Sequence, residues 1–183
     1  AKYVRDAFGK LKWMMTVNLF DKETASFWKG PGINPKDIQT EVFFLPCVSS
    51  IEKEGSLSNS GRWVQWRYKA IDHLGQARPD ADIANELFLR VRELYRKEGG
   101  KFPAPIMNTT WNYGKEVDIH KVAKEINGYY LEDVYDKKAN PPKLLGKKGE
   151  LCATFVHLQA DGTTSCGNWL YSGSWTEACP QMQ

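Results

Sequence analysis

The sequence predicts an α/β fold, and three observations lead to that prediction. Leu11–Val17 is a short run that is apolar at most positions and is typical of a strand. Glu41–Pro46 is a second apolar run, ended by its proline, and Gly30–Pro35 between the two is a clear break between helical and extended chain. Such runs suit a parallel sheet with helices on both faces. We therefore expect the first strand to be covered on both faces.

Short helices and a polar loop surround these strands. Lys2–Lys10 is predicted to be a helix that leads into the first strand, and Asp21–Trp28 a helix capped by its aspartate. Ser49–Gly61 follows the second strand as a polar loop. Arg62–Tyr68 then reads as an edge strand or an extended segment.

Two amphipathic patterns predict longer helices. The stronger runs from Asp80 to Lys97, with Asp80 or Asp82 as its cap and two glycines after it. Its apolar positions follow the spacing i, i+4, i+8 and i+11 of one helix face. They are Ile83, Leu87, Val91 and Leu94. The second pattern, Asp118–Asn127, has one apolar face and is followed by Gly128.

Residues 101–183 differ from residues 1–100 in their content of proline and aromatic residues. Pro103, Pro105, Pro141 and Pro142, together with many aromatic residues, indicate a looser, irregular extension. Leu144–Leu158 is predicted to form a hairpin around Lys147–Gly149, His157 lies in a predicted strand, and Asp161-Gly162 is a further turn.

Composition excludes several classes of protein. The chain has 183 residues, of which 42% are hydrophobic and 26% charged, so global disorder is not expected. No apolar run approaches the roughly 20 residues of a membrane span. A net charge of +3 with mixed signs gives little support for a nucleic-acid partner. Residue 1 is Ala rather than Met, so we expect processing, trimming or fragmentation there. Seven Trp are many for a small domain, so some are expected on a shared surface.

No pattern of metal ligands or nucleophiles is present in the sequence. The four cysteines contain no CxxC spacing, and the three histidines contain no HxH or HxxxH spacing. Free or buried thiols are expected, although disulfides are possible. The sequence has no P-loop, GxGxxG or GxSxG motif. It therefore assigns no metal ligand and no catalytic residue.

One segment has the residue types of a ligand-binding loop. Asn18 follows the first predicted strand, at a position where ligands of open α/β sheets bind. The Ser49–Gly61 loop offers many hydrogen-bond donors, and Lys53 and Arg62 add positive charge. From the residues alone, the loop is either an ordinary surface loop or a phosphate-binding loop.

The segment from Pro46 to Gln65, with Glu-Lys-Glu-Gly at 52–55, Asn59, Arg62 and a final Gln, resembles the molybdopterin oxidoreductases of the dimethyl-sulfoxide-reductase family. The strings Gly-Arg-Trp-Val-Gln-Trp at 61–66 and Trp-Leu-Tyr-Ser-Gly-Ser-Trp at 169–175 are similar to the large subunit of respiratory molybdenum or tungsten formate dehydrogenases. The resemblance covers essentially the whole chain. Because that subunit is several times longer, the resemblance implies an internal fragment.

The resemblance implies a cofactor and the residues that contact it. Residues 1–100 would form part of a Rossmann-like α/β domain that holds one molybdopterin guanine dinucleotide of a pair, and residues 101–183 a family-specific extension. The positions that correspond to contacts in the family are Val17, Asn18, Lys53 and Asp80. Asn18 departs from the acidic residue common there, and an amide, unlike a carboxylate, can also donate. Asp80 is equally well explained as a helix cap, and Arg62 and Asn59 as residues that order the loop.

The function implied is oxidation of formate to carbon dioxide, with electrons passed to iron–sulfur clusters elsewhere in the enzyme. The partners implied are the remainder of the catalytic subunit, an iron–sulfur electron-transfer subunit and formate, in the periplasm. The chain alone is expected to be inactive, because none of its cysteines matches the family's metal or cluster ligands. Two alternatives remain, namely a non-catalytic aromatic-rich interaction module and another molybdopterin oxidoreductase such as a nitrate reductase.

Overall fold

Short strands and helices alternate in the part of the chain that the computed structural model describes, which is residues 2–59, 61 and 64–174. The helices are α1 (Lys2–Phe8), α2 (Asp80–Glu98), α3 (Ala104–Asn108) and α4 (Ile119–Asn127). The strands are β1 (Trp13–Asn18), β2 (Glu41–Pro46), β3 (Gly55–Ser58), β4 (Val64–Arg67), β5 (Val134–Asp136) and β6 (Lys143–Gly146). Single 3₁₀ segments span Glu23–Lys29, Pro35–Asp37 and Phe155–His157. This mixture agrees with the predicted α/β class.

β1 and β2 form a parallel pair, in which Trp13 lies opposite Glu41 and Asn18 opposite Pro46. The other side of β2 continues into an isolated parallel bridge between Cys47 and Arg78. β2 is therefore flanked on both sides at its carboxyl end. β3 and β4 form an antiparallel pair, as do β5 and β6.

The prediction that both faces of the first strand are covered is wrong for this chain. Exposure alternates along β1, and Trp13, Met15 and Val17 are 62%, 40% and 41% exposed. Phe43 of β2 lies opposite Met15 and is 48% exposed. Met14 and Thr16, at the alternate positions of β1, are half-buried, and the 3₁₀ segment Glu23–Lys29 contacts the strand. Trp13, Met15, Val17 and Phe43 form an exposed apolar face, which we call the open sheet face.

The accessible surface of the chain is large for its mass. It measures 13342 Å², whereas a compact monomer of 20.9 kDa has about 9,000 Å². Much of the excess is apolar, since 24 large hydrophobic side chains are exposed among the described residues. The chain therefore leaves apolar surface uncovered that a compact domain of this size would bury.

The helix at Asp80 begins as predicted, but its cap and its buried face differ. Pro79 occupies the N-cap position, so neither Asp80 nor Asp82 caps α2. Leu87 and Leu94 of the predicted stripe are about half exposed, at 47% and 53%. The buried residue of α2 is Asn85 instead, because its side chain satisfies polar groups of the segment before α4.

Asn85 fixes that segment with three hydrogen bonds. Its Nδ2 donates to the carbonyls of Gly114 and Lys115, at 3.1 and 3.2 Å, and its Oδ1 accepts from Trp111 Nε1 at 2.7 Å. The Trp111 ring stacks on Phe88. α2 is therefore held to the following loop by a polar side chain, which an apolar periodicity does not indicate.

The predicted aspartate cap at Asp21 is also wrong. The segment forms a 3₁₀ helix, Glu23–Lys29, with Lys22 at the N-cap and no side-chain cap. Asp21 pairs with Lys29 instead. By contrast, α4 is capped as predicted, since Asp118 Oδ1 accepts from the backbone N–H of His120 and Lys121.

The hairpin predicted around Lys147–Gly149 lies elsewhere. The actual hairpin joins β5 to β6 through residues 137–142. The Lys147–Gly149 turn leads on to an antiparallel bridge between Tyr129 and Leu151. His157 is in a 3₁₀ segment rather than a strand, and its Nδ1 lies 2.8 Å from Tyr130 Oη. The predicted Asp161-Gly162 turn is present, with Thr163 donating to the aspartate.

A buried cluster in the second half of the chain contains Tyr130, Val134 and Cys152. Burial raises the pKa of Tyr130 to about 12 and that of Cys152 to about 11. Cys47, Cys152 and Cys166 are free thiols, as expected. Cys179 lies outside the described residues, as do Arg62, Trp63 and Trp175.

Asn127, at the end of α4, connects three segments of this half. It is fully buried, and its Nδ2 donates to the carbonyls of Gly128 and Cys152 at 3.0 and 2.9 Å. Its Oδ1 accepts from Gly173 N at 2.8 Å, and its carbonyl accepts from Ser172 Oγ. One amide therefore ties α4 to the 151–152 and 172–173 segments.

Replacing this amide should destabilise the fold. Asn127→Ala leaves the Gly173 N–H and the Cys152 carbonyl unsatisfied in a buried site, so we expect a loss of about 3 kcal/mol in the free energy of unfolding. Urea denaturation measures it. Asn112→Ala changes an exposed asparagine and should lie within about 0.5 kcal/mol of the parent. Equal losses for both variants would contradict the role of Asn127.

Gly146 is predicted to tolerate no side chain. A Cβ there would lie 2.0 Å from the ring of the buried Tyr130, so Gly146→Ala should cost about 1–3 kcal/mol. At Gly9 a Cβ meets its nearest atom at 3.6 Å, which makes Gly9→Ala the matched control. Thermal unfolding of the two variants should separate them clearly, and similar melting temperatures would argue against the tight contact.

Candidate functional site

Three backbone segments end side by side at the carboxyl edge of the parallel sheet. Cys47 N donates to Asn18 O at 3.1 Å, Arg78 N donates to Pro46 O at 3.1 Å, and Val48 N donates to Arg78 O at 3.1 Å. Adjacent strands lie about 4.8 Å apart, so the Asn18 and Arg78 backbones are separated by about 10 Å. Asp80 follows Arg78 by two residues, so the ends of β1, β2 and the α2 entry share one edge.

Lys53 and Asp80 meet directly at this edge. Lys53 Nζ donates to Asp80 Oδ1 in an ion pair whose side chains are 34% and 60% exposed. The structure thus joins two of the predicted cofactor residues, from a loop and from a helix start that are 27 positions apart in sequence.

Both side chains line an open cleft of about 900 Å³. One wall is the loop before β3, a second is formed by the segment before α2, and the third is the face of α4 that carries Ile119, Val122 and Ala123. The size is that of a small-molecule site. The third wall belongs to residues 101–183, so the cleft is formed by both halves of the chain.

The loop that carries Lys53 is held at its base. Ser49 donates to Glu52 Oε2 through both its backbone N–H and its Oγ, each at 2.8 Å. These hydrogen bonds lower the pKa of Glu52. The Ile51 carbonyl accepts from the backbone N–H groups of Ala70 and Ile71. Lys53 therefore projects from a fixed backbone.

A cluster that the sequence did not indicate joins β3–β4 to α4. Trp66 Nε1 donates to Glu54 Oε1 at 2.9 Å, and the Trp66 ring stacks on His120 with centroids 4.8 Å apart. His120 Nε2 lies 3.6 Å from Glu54 Oε1, and Glu54 and His120 both line the cleft. His120 belongs to α4, and no local signal in the sequence shows its contact with residues more than 50 positions away.

Most carboxylates of the cleft are engaged within the protein. Six acidic residues and four Lys or Arg line it. Besides Asp80, four of the acidic side chains accept hydrogen bonds from neighbouring donors, namely Glu52, Glu54, Asp82 and Asp118. Among the cleft cations, Arg78 pairs with Glu86 and Lys69 with Asp72, whereas Arg67 has no ion pair to a described residue. Arg67 therefore supplies charge that a ligand can neutralise.

Asn18 and Val17 are at the same edge but point in opposite directions. The Asn18 side chain is half-buried, and its Oδ1 accepts from Leu19 N at 2.8 Å. Val17 is on the open sheet face and is 41% exposed. Neither residue lines the cleft. Asn59, predicted to order the loop, does so by accepting from Gly61 N at 2.9 Å.

The described part of the chain has no group of three or more His, Cys, Asp or Glu side chains arranged to hold a metal ion. Within the same residues, no helix combines the length and apolar character needed to cross a membrane.

No protein-family model matches the chain. Formate dehydrogenase subunit alpha of Megalodesulfovibrio gigas is 50% identical to this chain over 94% of its length. The nitrate-inducible major subunit of Escherichia coli is 45% identical over 98% of the chain, and the major subunit of Haemophilus influenzae 47% over 92%. The chain spans only 17%, 18% and 17% of these three relatives. Over nearly its whole length it is therefore related to the large subunits of formate dehydrogenases, as its motifs predicted, and corresponds to one segment of them.

Proposed function

We propose that the chain is the portion of a formate dehydrogenase catalytic subunit that holds one molybdopterin guanine dinucleotide at the carboxyl edge of β1 and β2. The Lys53–Asp80 contact carries this proposal, because it joins two positions that the resemblance assigns to one cofactor. The names of the relatives support the reaction class, since all three are formate dehydrogenases. They favour it over a nitrate reductase.

The residues of this edge fit such a cofactor. Lys53 donates to acceptor oxygens, Asp80 accepts from N–H groups, and Arg67 adds a positive charge that forms no ion pair with a described residue. Asn18 retains an Nδ2 donor, for which no partner lies among the described residues.

The bound cofactor would supply the molybdenum or tungsten centre at which formate is oxidised to carbon dioxide. This chain's own part would be to bind and orient the dinucleotide, through Asn18 and the backbone of Val17 at β1 and through Lys53 and Asp80 at the cleft. Electrons would pass to iron–sulfur clusters elsewhere in a periplasmic enzyme. The partners would be the remainder of the catalytic subunit and an iron–sulfur subunit.

The large exposed apolar surface supports a role within a larger subunit. The chain spans about one sixth of its relatives, and the open sheet face together with Leu87 and Leu94 of α2 forms surface suited to neighbouring segments. A free-standing aromatic-rich interaction module, the alternative from another class, would use the same exposed aromatics. It does not account for the Lys53–Asp80 edge.

Removing Asp80 should reduce cofactor loading of the assembled enzyme. In Asp80→Ala we expect the guanine nucleotide released per subunit by acid to fall about tenfold, as one hydrogen-bonded charge is lost. Lys97→Ala removes an exposed ion pair of the same helix, far from the cleft, and should leave loading unchanged. Full loading in Asp80→Ala would contradict the proposed placement.

The 183-residue chain by itself should not oxidise formate. It contributes one part of a cofactor site and no described metal-binding group. Incubation with formate and an artificial dye should give no dye reduction, while the assembled enzyme serves as the positive control. Formate-dependent dye reduction by the purified chain would refute the role as a portion of a larger subunit.

A further inference from the structure

α2 carries a partly exposed apolar seam, which consists of Ala84, Leu87, Val91 and Leu94. These residues follow the spacing of positions a and d in a heptad repeat, the pattern by which one helix packs along another. Ala84 is exposed, Val91 is half-buried, and Leu87 and Leu94 are 47% and 53% exposed. From its first to its last residue the seam rises about 15 Å along the helix axis. We call it the α2 seam.

Another side of α2 is already used by this chain. Phe88 stacks on Trp111 with ring centroids 4.2 Å apart. Arg92 Nε donates to the Ile106 carbonyl at 3.1 Å, and Asn85 Nδ2 donates to the loop that follows. These contacts fix the rotation of α2 about its own axis. Because residues three and four apart share one face of a helix, the α2 seam lies on a different face from the residues that make these contacts.

The flank of the α2 seam is a row of charges that pair with one another. Lys97 Nζ lies 2.9 Å from Glu93 Oε1. The Arg90 guanidinium lies 4.0 and 3.8 Å from the carboxylates of Glu86 and Glu93, and Glu86 also pairs with Arg78. Because opposite charges alternate along this row, it exerts little net attraction on a polyanion or a polycation. The α2 seam therefore suits an apolar partner rather than a charged one.

We propose that the α2 seam packs against an amphipathic helix from the remainder of the catalytic subunit. The heptad spacing selects a helix, because residues at positions a and d interdigitate with those of a second helix whose axis lies about 8–10 Å away. The same subunit is the source, since the chain spans about one sixth of its relatives. The partner helix carries apolar residues at three- and four-residue intervals. The proposal rests on the proposed function, which makes this chain one portion of that subunit.

Alkylation of introduced cysteines tests whether the α2 seam is covered in the assembled enzyme. Leu94→Cys places a thiol in the seam, and Arg96→Cys places one at an exposed position on another side of α2. Relative to the urea-unfolded protein, a pulse of N-ethylmaleimide should modify Leu94→Cys at least about tenfold more slowly and Arg96→Cys less than about threefold more slowly. Equal slowing at both positions, or none at Leu94→Cys, would overturn the proposal. If that enzyme retains its guanine nucleotide, the proposed function is unaffected.

Photo-crosslinking identifies the segment that covers the α2 seam. A benzophenone amino acid replaces Arg90, whose side chain is 71% exposed and lies beside Leu87 and Leu94 on the helix surface. After irradiation of the assembled enzyme, mass spectrometry identifies the attached peptide. We expect a peptide of the same polypeptide from outside this segment, with apolar residues at three- and four-residue intervals. A peptide of the iron–sulfur subunit, a link between two copies of the catalytic subunit, or no link at all would overturn the proposal.

Discussion

The hydrogen bonds that flank the end of β2 determine the arrangement of the candidate site. Asn18 on one side and Arg78 on the other are fixed to the backbone of residues 46–48. This pairing directs β1, β2 and the start of α2 toward one edge, so that Asp80 meets Lys53. Because side chains alternate along a strand, a shift of one residue in the pairing would turn Asn18 toward the open sheet face.

The apolar pattern of the sequence predicts more buried side chains in β1 and α2 than the structure shows. β1 reads as a strand with two covered faces, yet Trp13 and Met15 lie on an open face. α2 reads as a helix with a buried leucine stripe, yet Leu87 and Leu94 are about half exposed. A parallel pair of two strands is seldom stable alone. These patterns are explained together if other segments of a larger subunit cover both surfaces.

Elements with strong local signals were predictable, and contacts between distant segments were not. Glu41–Pro46 and the Asp118 cap follow from the residues themselves. The hairpin was misplaced because Lys147–Gly149 and residues 137–142 both carry turn signals, and long-range pairing selects between them. The edge position of Lys53 and Asp80 followed from motif resemblance, but neither their mutual pairing nor the wall contributed by α4 had a local signal.

The amide at Asn18 changes what this end of the sheet can recognise. Its oxygen accepts one hydrogen bond from the Leu19 backbone N–H at 2.8 Å, and its Nδ2 remains available as a donor. A carboxylate held in the same way would present only acceptor capacity and a negative charge. The β1 end therefore offers a donor, whereas Asp80, about two strand spacings away, offers an acceptor. A ligand that spans the edge and uses both the Asn18 Nδ2 donor and the Asp80 carboxylate presents an acceptor to β1 and N–H groups to Asp80, which orients it along the edge in one direction.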